Sequence, residues 1–162
     1  MGKIERKYMA HFIDAGTLCK GETESWERLG KDLEEYNVEL NPDTETKENI
    51  IGERTFNHNG YEVSSEADPF YAEDNSTLFE KLQQICDNLY KDDNLKTKVV
   101  EAHLWKTASG GGYEAYQQDC YVVPTSYGGD TSGYQIPFTV NYVGTKTKGT
   151  FDPATKKFTA GE

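Results

Sequence analysis

The sequence predicts a mainly β (α+β) fold: an antiparallel β-sandwich or partly rolled barrel, flanked by one α-helix. Several segments alternate apolar and polar residues, which is typical of strands with one buried face. One segment has helical spacing of its apolar residues. A length of 162 residues is that of one domain, so we expect a single domain over 1–162.

Two early strands are predicted at 36–40 and 61–68, where apolar and acidic residues alternate. The interval 41–60 is predicted to be a long inter-strand loop, because loops within compact domains usually have about 4–6 residues. Residues 1–10 are predicted to form a flexible N-terminal arm. We expect both segments to become ordered on assembly.

The helix is predicted from Ser76 to Tyr90. Its apolar face consists of Leu78, Leu82, Ile85 and Leu89. Thr77 and Glu80 have capping-box spacing, and Asn75 or Ser76 are alternative caps.

Four strands are predicted after the helix. Alternation is clear at 99–105 and 134–142, and a third strand is expected at 113–123 after a glycine-rich turn. Phe151 and Phe158 flank Asp-Pro-Ala-Thr, which predicts a final tight hairpin.

The charge of the chain is unevenly distributed. The net charge is −11, and residues 1–93 hold 22 acidic against 10 basic residues, whereas residues 94–162 hold 6 against 7. A classical nucleic-acid binder would carry a basic surface against the phosphates, so the balance argues against that class. We expect neither a membrane segment nor a secretory leader, because the long apolar runs that they need are missing from the sequence.

No catalytic, metal or cofactor site is predicted. The three cysteines lack Cys-x-x-Cys spacing and are expected to be reduced, with Cys86 and Cys120 in the core. The three histidines are scattered, so no metal-binding set is expected. The glycine-rich segment 124–133 lacks the Lys-Ser/Thr ending of a phosphate-binding loop, and Ser109 lacks a nucleophile-elbow frame. We therefore expect a protein that is not an enzyme.

Several short stretches carry a family resemblance. They are Ser-Tyr-Gly-Gly-Asp at 126–130, Gly-Tyr-Gln-Ile-Pro-Phe at 133–138, Gly-Thr-Phe-Asp at 149–152, Lys-Ile-Glu-Arg-Lys-Tyr at 3–8, Gly-Tyr-Glu-Val at 60–63 and Asp-Pro-Phe-Tyr at 68–71. With them the chain resembles, over nearly its whole length, the major tail proteins of long-tailed phages and prophages of Gram-positive bacteria.

The resemblance implies a structural subunit that stacks as hexameric rings into a tail tube. DNA would pass through the channel as cargo without being bound. The implied partners are copies of the chain itself, the tape measure, the tail terminator and the baseplate, with no membrane. The implied location is the virion tail of a phage or of a prophage-derived, bacteriocin-like particle, after synthesis in the host cytoplasm.

If the two early strands pair, their side chains separate into an apolar face and an acidic face. The apolar face would hold Tyr36, Val38, Leu40, Tyr61 and Val63, and the acidic face Glu35, Glu39, Glu62, Glu66 and Asp68. Composition alone favours an ordinary solvated face, whereas the resemblance favours a channel lining that repels DNA phosphates.

Apolar residues in two loops are candidates for subunit contacts. They are Ile50, Ile51 and Phe56 in the 41–60 loop and Tyr127 in the glycine-rich segment. The first three could instead fold back on their own domain.

A competing hypothesis is a monomeric β-sandwich that binds a carbohydrate or a protein. Its binding surface would be built from exposed aromatic residues. The candidates are Trp26, Trp105, Tyr113 and Tyr116.

Overall fold

A computed structural model of the chain describes residues 2–29, 36–67, 70–74, 76–108 and 111–160. Within these residues, an eight-stranded antiparallel sheet, two two-stranded sheets and one α-helix form the fold. The predicted mainly β class with a flanking helix is confirmed.

The strands and the helix are numbered in chain order. The strands are β1 (Met9–Asp14), β2 (Trp26–Leu29), β3 (Val38–Glu39), β4 (Pro42–Glu48), β5 (Arg54–Tyr61), β6 (Ser64–Ala67), β7 (Lys96–Thr107), β8 (Tyr113–Pro124), β9 (Gly128–Asp130), β10 (Gly133–Gln135), β11 (Phe138–Asp152) and β12 (Lys157–Ala160), and the helix is α1 (Thr77–Asn88). Short 3-10 turns occupy Arg6–Tyr8, Ala15–Lys20 and Asp92–Leu95. The main sheet has the order β2-β1-β7-β8-β11-β6-β3, β12 also pairs with β11, and β4-β5 and β9-β10 are separate hairpins.

The main sheet buries apolar side chains on both of its faces. One core lies under α1 and includes Ile13, Leu78, Leu82, Val99, Val122, Phe138 and Val140. A smaller core on the other face includes Ala10, Phe12, Trp26, Val100, Ala102, Ala115 and Phe151. Neighbouring residues of one strand, such as Val99 and Val100, therefore enter different cores, as the pleat of a strand requires.

The helix begins one residue later than predicted, and its cap is Ser76. The Ser76 Oγ accepts a hydrogen bond from the Phe79 amide at 3.2 Å. The Glu27 carboxylate of β2 accepts from the Leu78 amide and from the Ser76 hydroxyl, both at 3.0 Å. These acceptors satisfy donors that the first turn of a helix leaves free. Thr77, the cap in the predicted capping box, is instead the first residue of the helix. Asn75, the other alternative, lies outside the described residues.

The interval 41–60, predicted as a loop, is instead mostly a β-hairpin. β4 and β5 pair antiparallel from Pro42↔Tyr61 to Glu48↔Arg54. The prediction missed β4 because threonine, not an aliphatic residue, alternates with charged residues there, although β-branched threonine suits a strand. The predicted arm at 1–10 also differs, since β1 begins at Met9.

The strands after α1 follow the predicted hairpins with one interruption. β7 and β8 pair antiparallel, and Phe151 lies opposite Phe158 in the final hairpin. The predicted strand 134–142 is divided into β10 and β11. Pro137 lies between them and has no amide hydrogen to donate to a ladder.

The fifteen-residue strand β11 has two different neighbours along one edge. β8 pairs along its other edge throughout, with an irregularity between Val143 and Thr147. On the first edge, β6 covers 138–141 and β12 covers 149–152. Among the described strands, none pairs with 143–148 on that edge.

Candidate assembly surfaces

The β4-β5 hairpin projects its apolar residues into solvent. Ile50 is fully exposed, Ile51 is 74% exposed and Phe56 is 65% exposed. Every residue of β4 is exposed as well. The predicted alternative, in which these side chains fold back on their own domain, does not describe this structure.

The tip and the base of this hairpin are defined by asparagine hydrogen bonds. At the tip, the Asn49 Oδ1 accepts from the amides of Ile51 at 3.1 Å and Glu53 at 2.9 Å. At the base, the Asn41 side-chain amide donates to the Glu62 carbonyl at 2.9 Å and to the Ser64 hydroxyl at 3.2 Å. These side-chain hydrogen bonds fix the backbone at both ends of the hairpin. The hairpin is therefore an ordered element.

The predicted pairing of the two early strands is present in part. β3 and β6 pair as Val38↔Ser65 and Glu39↔Ser64. Directly opposed residues share a face, so Glu39 lies on the same side as Glu66, two residues after Ser64. Both carboxylates are exposed, whereas Ser65 on the other side is buried.

The other predicted acidic residues are less closely grouped. Glu62 is exposed in the link between β5 and β6, and Glu35 and Asp68 lie outside the described residues. On the predicted apolar side, Tyr36, Val38 and Val63 pack in or against the core, but Leu40 and Tyr61 are exposed.

The face that carries Glu39 and Glu66 is not uniformly acidic. A single row of paired residues crosses five strands, from Glu39 through Ser64, Asn141 and Tyr121 to Lys96. At its acidic end a polar concavity of about 470 Å³ is lined by Asn37, Glu39, Ser64, Ser65, Glu66, Thr139 and Asn141. Along this row, the negative charge lies at the β3-β6 edge and lysine occupies the β7 end.

Tyr127 belongs to a second exposed apolar surface. With Leu89 and Tyr90 it lines a groove of about 300 Å³ between the end of α1 and the end of β8. Leu89 ends the helix in the left-handed conformation (φ 53°) and is strongly exposed. None of the residues that line this groove comes from the hairpin, so the four predicted contact residues form two separate surfaces.

Only two of the four aromatic residues proposed for ligand binding are linked, since Trp105 and Tyr116 both contact the His103 ring. Trp26 is 6% exposed and its ring lies 6.1 Å from that of Phe151, so the expectation that it is exposed is wrong. Tyr113 and Tyr116 are half-buried. Trp105 is 45% exposed and stacks on His103 with ring centroids 4.6 Å apart.

A buried polar cluster went unnoticed in the sequence. His11 of β1 lies directly opposite Glu101 of β7, with His11 Nδ1 3.9 Å from Glu101 Oε2. The Arg6 guanidinium contacts His11 Nε2 at 2.9 Å and donates to the Tyr36 carbonyl at 2.8 Å. No local motif could reveal this cluster, because His11 and Glu101 are far apart in sequence and meet only through the pairing of β1 with β7.

Burial dominates the titration of this cluster. Desolvation, reinforced by the positive charges of Arg6 and Arg28, lowers the pKa of His11 to about 3. Desolvation raises the pKa of Glu101, against the opposing effects of Lys146, the Tyr142 hydroxyl and Arg6. The cluster therefore favours an uncharged imidazole.

The remaining features concern the cysteines, the potential metal ligands and the length of the helices. Cys19, Cys86 and Cys120 are free thiols, and burial raises the pKa of Cys120 most strongly. Among the described residues, no three His, Cys, Asp or Glu side chains are grouped so that they could hold a metal ion. In the same residues, no helix has the length and apolar character needed to span a bilayer.

No protein-family model matches this chain, and no curated protein matches it in sequence.

Proposed function

We propose that this chain is a structural subunit of a phage tail tube, or of the tube of a prophage-derived particle, and that it assembles into stacked hexameric rings. The observation that supports this most is the β4-β5 hairpin, which holds Ile50, Ile51 and Phe56 in solvent. The ring and the tube are inferred from the family resemblance. The exposed hairpin gives a physical reason for assembly.

Burial of the hairpin side chains would stabilise a contact between subunits. Removal of one large apolar side chain from water contributes about 1.5–3 kcal/mol. Because the tip is bracketed by the hydrogen bonds of Asn49, little further ordering of its turn is needed when it binds. A protruding element that fits a different surface of the next copy makes a head-to-tail contact, which propagates into rings or stacks.

The edge that carries Glu39 and Glu66 is proposed to face the channel. Carboxylates repeated around a ring would repel DNA phosphates, and salt would screen this repulsion only beyond about 8 Å. DNA would then pass as cargo without being held. The tape measure, the tail terminator and the baseplate are the further proposed partners, and the virion tail is the proposed location.

The monomeric ligand-binding module is a second candidate because of Trp105. Its indole is exposed and stacks on His103, an arrangement that could present a flat surface to a sugar ring or a peptide. The burial of Trp26 weakens this candidate, since it removes one of its four proposed contacts.

The test is size-exclusion chromatography with light scattering, followed by negative-stain microscopy of concentrated protein. The tail-tube proposal expects hexamers or hollow tubes, and it expects Ile50→Asp with Ile51→Asp to abolish them. Trp105→Ser is the control and should assemble normally. Two results together would favour the second candidate. The chain would stay monomeric at high concentration, and it would bind a ligand whose binding is lost in Trp105→Ser but not in the hairpin variant.

A further inference from the structure

Asn59 and Gly60 form the only Asn-Gly pair in the sequence, and they lie in β5 of the exposed hairpin. In such a pair, the backbone nitrogen of the second residue can attack the side-chain carbonyl carbon of the asparagine. Glycine has no Cβ to obstruct this approach. At Gly60 the surroundings are also open, since a Cβ there would meet no atom within 4 Å.

The backbone at Asn59 is not held by regular strand pairing. Gly60 pairs with Asp43 and His58 pairs with Thr44, so Asn59 is an extra residue between two consecutive partners. This is a β-bulge, in which the extra residue is left unpaired and the ladder is locally disrupted. Gly60 has a φ of +125°, a backbone conformation that residues other than glycine rarely adopt.

A base already contacts the attacking nitrogen. The Gly60 amide donates a hydrogen bond to His58 Nδ1 at 3.2 Å, so this ring nitrogen is an unprotonated acceptor. The Tyr61 ring, with its centroid 4.5 Å from that of His58, packs beside the imidazole. Proton removal by a positioned imidazole is a common form of general-base assistance.

We propose that Asn59 is a site of self-modification, in which the Gly60 nitrogen cyclises onto the Asn59 side chain with His58 as the general base. The Gly60 N–Asn59 Cγ bond forms while the amide proton passes to His58 Nδ1. The Cγ–Nδ2 bond then breaks, and the departing nitrogen takes that proton and leaves as ammonia. Water from the solvent opens the resulting succinimide to aspartate or isoaspartate, and no oxidant or reductant is consumed.

Two other asparagines of the same hairpin provide internal comparisons. The Asn49 Oδ1 is occupied by the amides of Ile51 and Glu53, and the Asn57 side chain donates to Glu45 at 3.5 Å. Neither is followed by glycine. Both should therefore be modified more slowly than Asn59.

The modification would change the base of the hairpin. Either product adds a carboxylate, and isoaspartate also lengthens the backbone by one carbon within the bulge. This site lies next to the strand end that Asn41 connects to Glu62 and Ser64. The proposal concerns the chemistry of the single chain and does not depend on the tail-tube function.

The experiment is peptide mapping by mass spectrometry of the purified full chain, incubated folded at neutral pH and sampled over weeks. An isoaspartate-specific methyltransferase distinguishes the two products. We expect Asn59 to accumulate the exchange of NH for O several-fold faster than Asn49 and Asn57. Equal modification rates at the three asparagines would contradict the proposal that Asn59 is a specific site.

The role of His58 is tested with His58→Gln, checked for an unchanged circular dichroism spectrum, and with Tyr61→Phe as a control that keeps the ring contact. His58→Gln should slow the modification of Asn59 several-fold. In Tyr61→Phe, Asn59 should be modified at the same rate as in the original chain. A His58→Gln rate equal to that of the original chain would exclude His58 as the base.

Discussion

Arg6 donates a hydrogen bond to the Nε2 atom of His11 across 2.9 Å. Because a guanidinium has donors only, Nε2 must be the acceptor, and the imidazole proton of the neutral ring lies on Nδ1, facing Glu101. Nδ1 has no hydrogen-bond partner among the described residues. A residue of the N-terminal segment thus determines the tautomer of a buried histidine in the central sheet.

This arrangement predicts acid sensitivity. Burial and the charges of Arg6 and Arg28 lower the pKa of His11 from 6.5 to about 3 in the folded chain. The contribution of neutral His11 is therefore fully present above pH 6.5 and is lost progressively as the pH falls towards 3. Glu101 acts in the opposite sense, because its raised pKa favours the folded state in acid.

The check is the free energy of unfolding in urea as a function of pH, for the original chain and for His11→Gln. Glu101 is present in both, so its contribution largely cancels in the difference. The advantage of the original chain should shrink as the pH falls below 6.5. A difference that is independent of pH would contradict the prediction.

The helix cap predicts a contrast between neighbouring residues. Ser76→Ala removes the acceptor for the Phe79 amide and a donor to Glu27, and should cost about 1 kcal/mol of stability. Thr77→Ala is the matched control and should cost clearly less, because the Thr77 hydroxyl is not the cap. Thermal unfolding of both variants measures this, and a larger loss for Thr77→Ala would reverse the assignment.

The core and the hairpin should respond differently to substitution. Phe138 is completely buried under α1, so Phe138→Ala should cost about 3–5 kcal/mol. Ile50→Asp should change the stability of the single subunit by less than about 0.5 kcal/mol, because Ile50 is fully exposed. Urea unfolding at low protein concentration checks both, and a large loss from Ile50→Asp would mean that the tip supports its own domain.

Charge reversal tests the proposed channel face. Glu39→Lys with Glu66→Lys should make the assembled protein retain duplex DNA at low salt and release it at high salt. Glu80→Lys with Asp87→Lys is the control, because it makes the same change in net charge on α1, which lies over the other face of the sheet. Filter binding at two salt concentrations measures the retention. Equal retention by both variants would show that only net charge matters.

The sequence predicted those strands and the helix whose apolar residues repeat at one regular spacing along the element. The β7-β8 hairpin and α1 were predicted in this way, because their buried faces repeat every two residues or at helical spacing. The β4-β5 hairpin was not, because its strands bury almost nothing in their own domain and so carry little apolar signal.

The candidate site was predicted less completely than the fold. Ile50, Ile51 and Phe56 were identified as unusual, since large apolar residues in a charged segment need a partner. The burial of Trp26 was not foreseen, because the four residues of β2 are too few to show which side faces the core. The cluster of Arg6, His11 and Glu101 depends on the pairing of β1 with β7, which no local pattern encodes.

The uncovered stretch of β11 between its β6 and β12 partners bears on solubility. Unpaired backbone along a sheet edge invites another chain to add a strand, which is the first step of fibril growth. Lys146 and Lys148 occupy this stretch and are exposed. Like charges would be brought together if two such edges met, so the two lysines protect an acidic protein against aggregation at the place where its main sheet is open.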